Sequence, residues 1–209
     1  MKKGFFLAFE SAPKSGKTTL INLLADEIKK TDNKRLLDVS RSALSKSGFA
    51  EEVKSKKIND IGYSTAFYWA DVIFDTQDRI LPVLQSGGIV LKDRYDLSLV
   101  TYRESNNFNY DYLLLEEYIK RGMVIDPNFT VLLRPDKDIV VNRIKNNSDS
   151  SAIDKEFLDN PDKILTIQAR TEYHLKKFQR QYIILDTGVL TQEECINAII
   201  NQIRLMGGI

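Results

Sequence analysis

Five short runs rich in apolar residues recur along the chain, and longer amphipathic stretches separate them. The runs are Phe5–Phe9 (FFLAF), which ends at Glu10, then Leu36–Val39, Ile89–Leu91, Phe129–Leu133 (FTVLL) and Tyr182–Asp186 (YIILD). Most are apolar at consecutive positions, the pattern of strands buried on both faces. Helical spacing predicts helices over Leu20–Ile28, Ser64–Leu84, Tyr110–Arg121, Asp138–Lys145, Arg170–Arg180 and Thr191–Met206. Gly87 and Gly88 stop the second, and Asp126-Pro127-Asn128 introduces the fourth strand. Strands alternating with helices predict an α/β protein: a three-layer sandwich with a five-stranded parallel sheet and helices on both faces. Ligands of such sheets bind beyond the carboxyl ends of the strands. Glu10, Arg41, Asp93 and Asp186 fall at or just past those ends.

The first strand and helix enclose the sequence S-A-P-K-S-G-K-T, from Ser11 to Thr18. It follows the P-loop pattern G-x-x-x-x-G-K-[ST], with Ser11 in place of the first glycine. Strand, loop and helix in that order give the pattern its physical meaning, because amides of the loop and of the new helix converge on one anion. The loop Ser11, Ala12, Pro13, Lys14, Ser15, Gly16, Lys17, Thr18 and Thr19 is therefore the candidate cradle for the phosphates of a nucleoside triphosphate. Lys17 would reach the β- and γ-phosphates, and the Thr18 hydroxyl would ligate Mg²⁺. The bland alternative is a chance GKT opening an ordinary helix, which the strand before and the amphipathic helix after disfavour. The third strand ends in Lys92-Asp93-Arg94-Tyr95. A carboxylate there is placed to support a metal, and Arg94 to clamp a phosphate with its planar fork.

Composition narrows the classes. At 209 residues the chain reads as one domain, spanning 1–209. A formal net charge of +1 gives no electrostatic footprint for nucleic acid. The one cysteine, Cys195, rules out an internal disulfide framework and reads as a packing residue. Lys2 and Lys3 precede an apolar run too short for a signal peptide, and no run reaches membrane-span length. The expectation is a cytoplasmic protein with neither nucleic-acid nor membrane partners. His174, the single histidine, lies on the basic stretch RTEYHLKKFQR, which reads as a solvated face. DYLLLEEYI reads as core.

Taken together, these segments resemble the thymidylate kinases and their nucleoside-monophosphate-kinase relatives over most of the chain. FLAFESAPKSGKTT is similar to the family's first strand and P-loop, and FYWADVIFDTQDRILPVL to its F-x-A-x-R helix. GGIVLKDRYDLSLVTY is similar to G-x-x-V-I-x-D-R-Y/H-x-x-S-x-x-A-Y, the most specific match. DPNFTVLLRPDKDIVVNRI and YIILDTGVLTQEE are similar to later family segments. The resemblance implies ATP and Mg²⁺ as cofactors and a nucleoside monophosphate or related small acceptor as partner. A homodimer is compatible with it. Lys14, Lys17, Asp93 and Arg94 would be catalytic, and Thr18 and Asp93 would hold the metal. Arg41, Phe67, Asp71, Arg94, Ser98 and Tyr102 would bind the acceptor, with Phe67 stacking on its base. Asp186-Thr187-Gly188 would lie beside the adenine of ATP.

The sequence also departs from the family pattern. The family's T-R-E-P-G reads Ser40-Arg41-Ser42-Ala43 here. Pro13 replaces an acidic P-loop residue and cannot reproduce its hydrogen bond. Asp71 stands where the family has an arginine that contacts thymine, turning a donor into an acceptor-only group. A pocket with Asp71 favours a base edge that offers N–H donors. The polar segment 145–161, the candidate lid, contains no arginine, so Lys14 becomes the candidate transition-state cation. An ordinary loop is the other reading of 145–161. Kinases of a nucleoside or other small alcohol, and a nucleotide-binding protein with little transfer activity, remain as alternatives.

Overall fold

The structure, a computed structural model, describes residues 3–33, 35–40, 61–104, 111–147 and 152–209. Strands β1 (Phe5–Ser11), β2 (Leu37–Ser40), β3 (Ile89–Asp93), β4 (Phe129–Leu133) and β5 (Tyr182–Leu185) form one sheet in the order β2-β3-β1-β4-β5. Every neighbouring pair is parallel. This is the predicted α/β sandwich. The loop-bearing strand β1 is central, with Phe9 opposite Asp93 on β3 and Ser11 opposite Leu133 on β4. All seven of its residues are buried, as a strand covered on both faces requires.

Alternate residues of β1 feed two cores. Phe5, Leu7 and Phe9 pack with Leu20, Leu24 and Ile28 of α1 (Lys17–Thr31), and with Ile199 and Ile203 of a C-terminal helix, Gln192–Leu205. That helix opens with a capping box in which Thr191 and Glu194 satisfy each other's backbone N–H groups. Phe6 and Ala8 face the other way, toward Trp69, Tyr95, Leu97, Leu115 and Leu175. These come from α2 (Ile61–Phe74), the β3–α4 turn, α4 (Asp96–Glu104), α5 (Asp111–Lys120) and α8 (Asp162–Lys177). Between α5 and α8 lie α6 (Lys137–Lys145) and α7 (Ala152–Asp159); the C-terminal helix is α9. The short helix after α2 is α3 (Leu81–Gln85).

The predicted helix 64–84 is not one α-helix. A π-turn at Asp75–Ile80 joins α2 to α3, with the Leu81 N–H donating to the Thr76 carbonyl. Its buried side chains include Asp75 and Ile80, five residues apart instead of four. Asp75 is fully buried and pairs with Lys92 of β3, an ion pair that hydrophobic periodicity cannot reveal.

Two other expectations are corrected. The stretch Arg170–Arg180 is solvated on one side only, at Tyr173, Lys176, Lys177 and Gln179. Its helix ends at Lys177, His174 is buried, and Arg180 is buried as well. The Arg180 guanidinium donates to both carboxylate oxygens of Asp96 and lies 2.7 Å from Asp126. Burial of the opposing carboxylate attracts it there, because a buried charge must be paired. The segment 145–161 contains helix α7, whose Phe157 is fully buried; positions 148–151 lie outside the described residues. Helix α4 was not predicted. Of DYLLLEEYI, Leu115 is core while Leu113 and Leu114 are exposed.

Replacing Arg180 by alanine leaves Asp96 buried without its bidentate partner. The expected cost in unfolding free energy is about 3–5 kcal/mol. Urea titration of Arg180→Ala checks it, with Lys176→Ala as the exposed comparison, expected to stay close to the parent.

Candidate active site

The chain leaves β1 at Ser11 and turns into α1 at Lys17. Gly16 caps the helix at φ 89°, a left-handed conformation that favours glycine. Lys14, at φ 57°, occupies the same region without being a glycine. Hydrogen bonds hold the loop in this shape. Ser15 Oγ donates to the Ala12 carbonyl at 2.9 Å, and Thr187 Oγ1 donates to the Ser15 carbonyl at 2.7 Å. Arg143 of α6 donates to the Lys14 carbonyl at 3.4 Å and to the Thr187 carbonyl at 2.7 Å. Ser11, Ala12 and Ser15 are buried, Pro13 is half-buried, and Gly16, Thr18 and Thr19 face solvent.

Lys17 lies under this loop and contacts the Asp93 carboxylate through its ammonium. Burial lowers the Lys17 pKa, and the Arg94 charge pushes the same way; Asp93 opposes both. The two groups meet because Asp93 closes β3 beside the end of β1. Among the described residues no group of three or more His, Cys, Asp or Glu is placed to hold a metal ion. A carboxylate and a threonine hydroxyl still match Mg²⁺, which is commonly held by one or two carboxylates plus substrate phosphates.

Arg94 follows at φ 62°. Its N–H donates to the Phe9 carbonyl at 3.0 Å, and its guanidinium lies 4.9 Å from the centroid of the Tyr102 ring. Arg94 Nη1 approaches Ser98 Oγ at 3.4 Å, and the Tyr102 hydroxyl donates to the Ser11 carbonyl at 3.3 Å. Ser98 and Tyr102 are one turn apart on α4, so one helix face presents both. Burial opposes the Arg94 charge, but Tyr102, Glu10 and Asp93 outweigh it and raise the guanidinium pKa.

Lys17, Asp93, Arg94, Ser98 and Tyr102 thus form one cluster. Phe67 and Asp71 are both buried, one turn apart on α2, which packs on α4. The Phe67 ring meets Tyr68 edge-on with centroids 5.3 Å apart. Arg41 lies outside the described residues.

Glu10 was seen in the sequence at a strand end but given no role. It is buried at the centre of the cluster and accepts from the Tyr95 N–H at 3.0 Å and from Ser98 Oγ. Arg143 has no role in the sequence reading, whereas Thr187 belongs to the segment expected beside the adenine. They join Gly16, Thr19, Gln192 and Cys195 around a cavity of about 320 Å³ beside the loop. Buried Cys195 therefore packs and also lines this cavity, its thiol pKa raised by burial. The arrangement can hold an anion chain along the loop and Arg94.

Comparisons with known proteins identify the family and the fold. The family model described as thymidylate kinase matches residues 9–199. A thymidylate kinase of Sulfurihydrogenibium sp. is 31% identical over 152 residues, which is 70% of this chain and 73% of that protein. A probable thymidylate kinase of Archaeoglobus fulgidus is 27% identical over 150 residues, 71% of this chain and 74% of that protein. The fold superposes on a crystal structure of thymidylate kinase from Ehrlichia chaffeensis with a TM-score of 0.66 at 16% identity, over 97% of this chain and 99% of that one.

Burial raises the Glu10 pKa above its ordinary 4.5, and the Asp96 charge adds to the rise; bonds from Ser98 and Tyr95 and the Arg94 charge only moderate it. The folded state therefore holds the proton more tightly than the unfolded one. This contribution is fully present below pH 4.5 and is lost as pH climbs through the raised value. Glu10→Gln should remove this fall in stability, whose slope is at most about 1.4 kcal/mol per pH unit. Urea unfolding of both proteins across a pH series from 4 upward measures it; parallel stability–pH curves would show that Glu10 does not titrate in this way.

Proposed function

The chain belongs to the thymidylate kinase family, which makes it an ATP-dependent nucleotide kinase, and from that premise we propose how its residues divide the work. The γ-phosphoryl group of ATP passes to the phosphate of a nucleoside monophosphate. The observation that carries this reading is the contact of Lys17 with Asp93, with Arg94 next in sequence, at the carboxyl ends of β1 and β3.

Loop amides and Lys17 bind the donor phosphates. Thr18 and Asp93 would hold Mg²⁺, which would neutralise phosphate charge. Arg94, kept charged and aimed by Tyr102 and Ser98, takes the acceptor phosphate, and Arg41 joins it. Lys14 faces the transferring group as the transition-state cation. Such transfer needs little covalent chemistry from the protein, so positioning and charge do the work. The cavity beside Gly16, walled by Arg143 and Thr187, takes the donor base.

The acceptor base lies against Phe67, and Asp71 addresses its edge. Two features support a base other than thymine. Asp71 is buried, so any contact it makes with a ligand is made in a low-dielectric site. A carboxylate also faces the thymine O4 acceptor unfavourably and accepts instead from an amino group, as cytosine, adenine or guanine offer. A site built for that bond can reject an analogue lacking it by several orders of magnitude.

Lys17→Ala removes charge-assisted phosphate bonds worth about 1.5–3 kcal/mol, so ATP affinity by calorimetry should fall at least about tenfold. Unchanged affinity would sink the loop assignment. In a panel of monophosphates with ATP and Mg²⁺, read as ADP release, amino-bearing bases should be preferred over dTMP. Asp71→Asn should narrow that preference, and Asp71→Arg should move it toward dTMP. Efficient use of dTMP by the parent, with dCMP, dGMP and AMP all poor, would return the protein to ordinary thymidylate kinase activity.

A further inference from the structure

Helix α7 brings a carboxylate against the phosphate loop. Asp154 and Phe157 are three residues apart, and so share one face of it. Phe157 is buried among Ala12 of the loop, Val140 and Ile144 of α6, and Ile164 and Ile167 of α8. That anchor fixes α7 on the loop. Asp154 Oδ2 then lies 3.9 Å from Lys14 Nζ.

The exposures of the pair are unequal. The Asp154 side chain is 4% exposed and that of Lys14 27%, so the carboxylate sits behind the ammonium and the ammonium at the mouth of the site. The Lys14 backbone is already fixed, at φ 57°, by the Arg143 bond to its carbonyl and the Thr187 bond to the next one. What remains free is the direction of a flexible four-carbon stem. A buried anion next to that stem draws the ammonium toward it with little screening. Burial raises the Tyr102 pKa and the Asp154 charge adds slightly to the rise, so its field reaches the Arg94 cluster.

We propose that Asp154 is the positioning residue for Lys14: its carboxylate holds the Lys14 ammonium over the phosphoryl group in transfer. Arginine brings a planar, pre-organised fork to such a role, whereas lysine is a point charge with freely turning donors. A fixed counter-charge from α7 supplies the missing orientation, and charge fixed before the reaction is what stabilises the transition state. Lys14 donates hydrogen bonds throughout and gives up no proton. The inference rests on the reading of Lys14 as the transition-state cation and adds the residue through which it is aimed. It also gives the segment 152–159 a chemical role in place of that of a loop.

The test is a double-mutant cycle with ATP, Mg²⁺ and the best acceptor monophosphate, using Lys14→Ala, Asp154→Asn and their combination. Asp154→Asn should lower kcat at least about tenfold and leave both KM values within about threefold. In the Lys14→Ala background the same change should alter kcat by less than about twofold, because the cation through which Asp154 acts is gone. If Asp154→Asn does not fold, Asp154→Glu takes its place, since moving the carboxylate by one methylene should lower kcat with Lys14 present and not without it. Additive losses would mean that Asp154 only supports α7, and would overturn the proposal. A rise in kcat on Asp154→Asn would mean that the carboxylate restrains Lys14, and would overturn it too. Lys14→Ala at parental kcat would instead remove the reading of Lys14 itself. A loss at Lys14 with none at Asp154 would remove the positioning role alone.

Discussion

The site depends on one buried carboxylate. Glu10 ends the apolar run of β1, where a strand covered on both faces has no water to offer its side chain. It accepts from the Tyr95 N–H and from Ser98 Oγ. These bonds tie β1 to the turn after β3, and the Arg94 N–H to Phe9 carbonyl bond ties it again. Between them Arg94 is held at φ 62°, a conformation costing a non-glycine residue about 1–2 kcal/mol. Without the bonds on either side, the guanidinium would not be directed across the loop toward Tyr102. The cost of burying Glu10 shows in its raised pKa, and the neighbouring Arg94 charge offsets part of it.

Three buried or half-buried ion pairs radiate from the end of β3 and the turn after it. Lys92 reaches Asp75 on the π-turn, Asp93 reaches Lys17 under the loop, and Asp96 reaches Arg180 beyond α8. Such pairs add little net stability over well-packed apolar residues, because desolvation consumes the attraction. They specify geometry instead. Five consecutive residues, Lys92 to Asp96, span the end of β3 and the turn after it, and between them they bind the π-turn, α1, β1 and Arg180, so that stretch cannot slip by one residue without leaving several buried charges unpaired.

The five strands, their parallel sense and the loop were legible in the sequence because each rests on a local signal: consecutive apolar residues, or a motif between strand and helix. Lys17, Asp93 and Arg94 were legible for the same reason, Ser98 and Tyr102 through the resemblance to the family, and the structure gathers them. What escaped was long-range pairing. Arg180 looked like one more cation on a basic helix, and Asp96, 84 residues earlier, together with Asp126 makes it internal. The role of Glu10 needs Tyr95 and Ser98, and that of Asp154 needs Lys14 across the loop. The polar run through 145–161 hid Phe157, because one aromatic among Asn, Ser and Asp residues gives no period. Periodicity reports which face of an element is buried and carries no record of which charge waits on the element opposite.

The π-turn at Asp75–Ile80 makes the same point within a single element. A turn closed by an i to i+5 bond takes in about one residue more than an α-turn, so side chains after it are rotated by about 100° relative to an unbroken helix. Counting in steps of three and four through Ser64–Leu84 as one helix misplaces one half whenever the other is aligned on the core. Upstream, Phe67 and Asp71 share a face, and Asp75 extends it one turn further to Lys92. Downstream, Ile80 is buried five residues after Asp75. The extra residue therefore keeps both ends in register with the sheet: Ile80 stays in the apolar core while Phe67 and Asp71 stay together on the other half. Closing it as an ordinary α-turn would rotate the face that Phe67, Asp71 and Asp75 share by about 100° relative to Ile80. With Ile80 packed in the core, it is this turn that sets the direction in which Phe67 and Asp71 look.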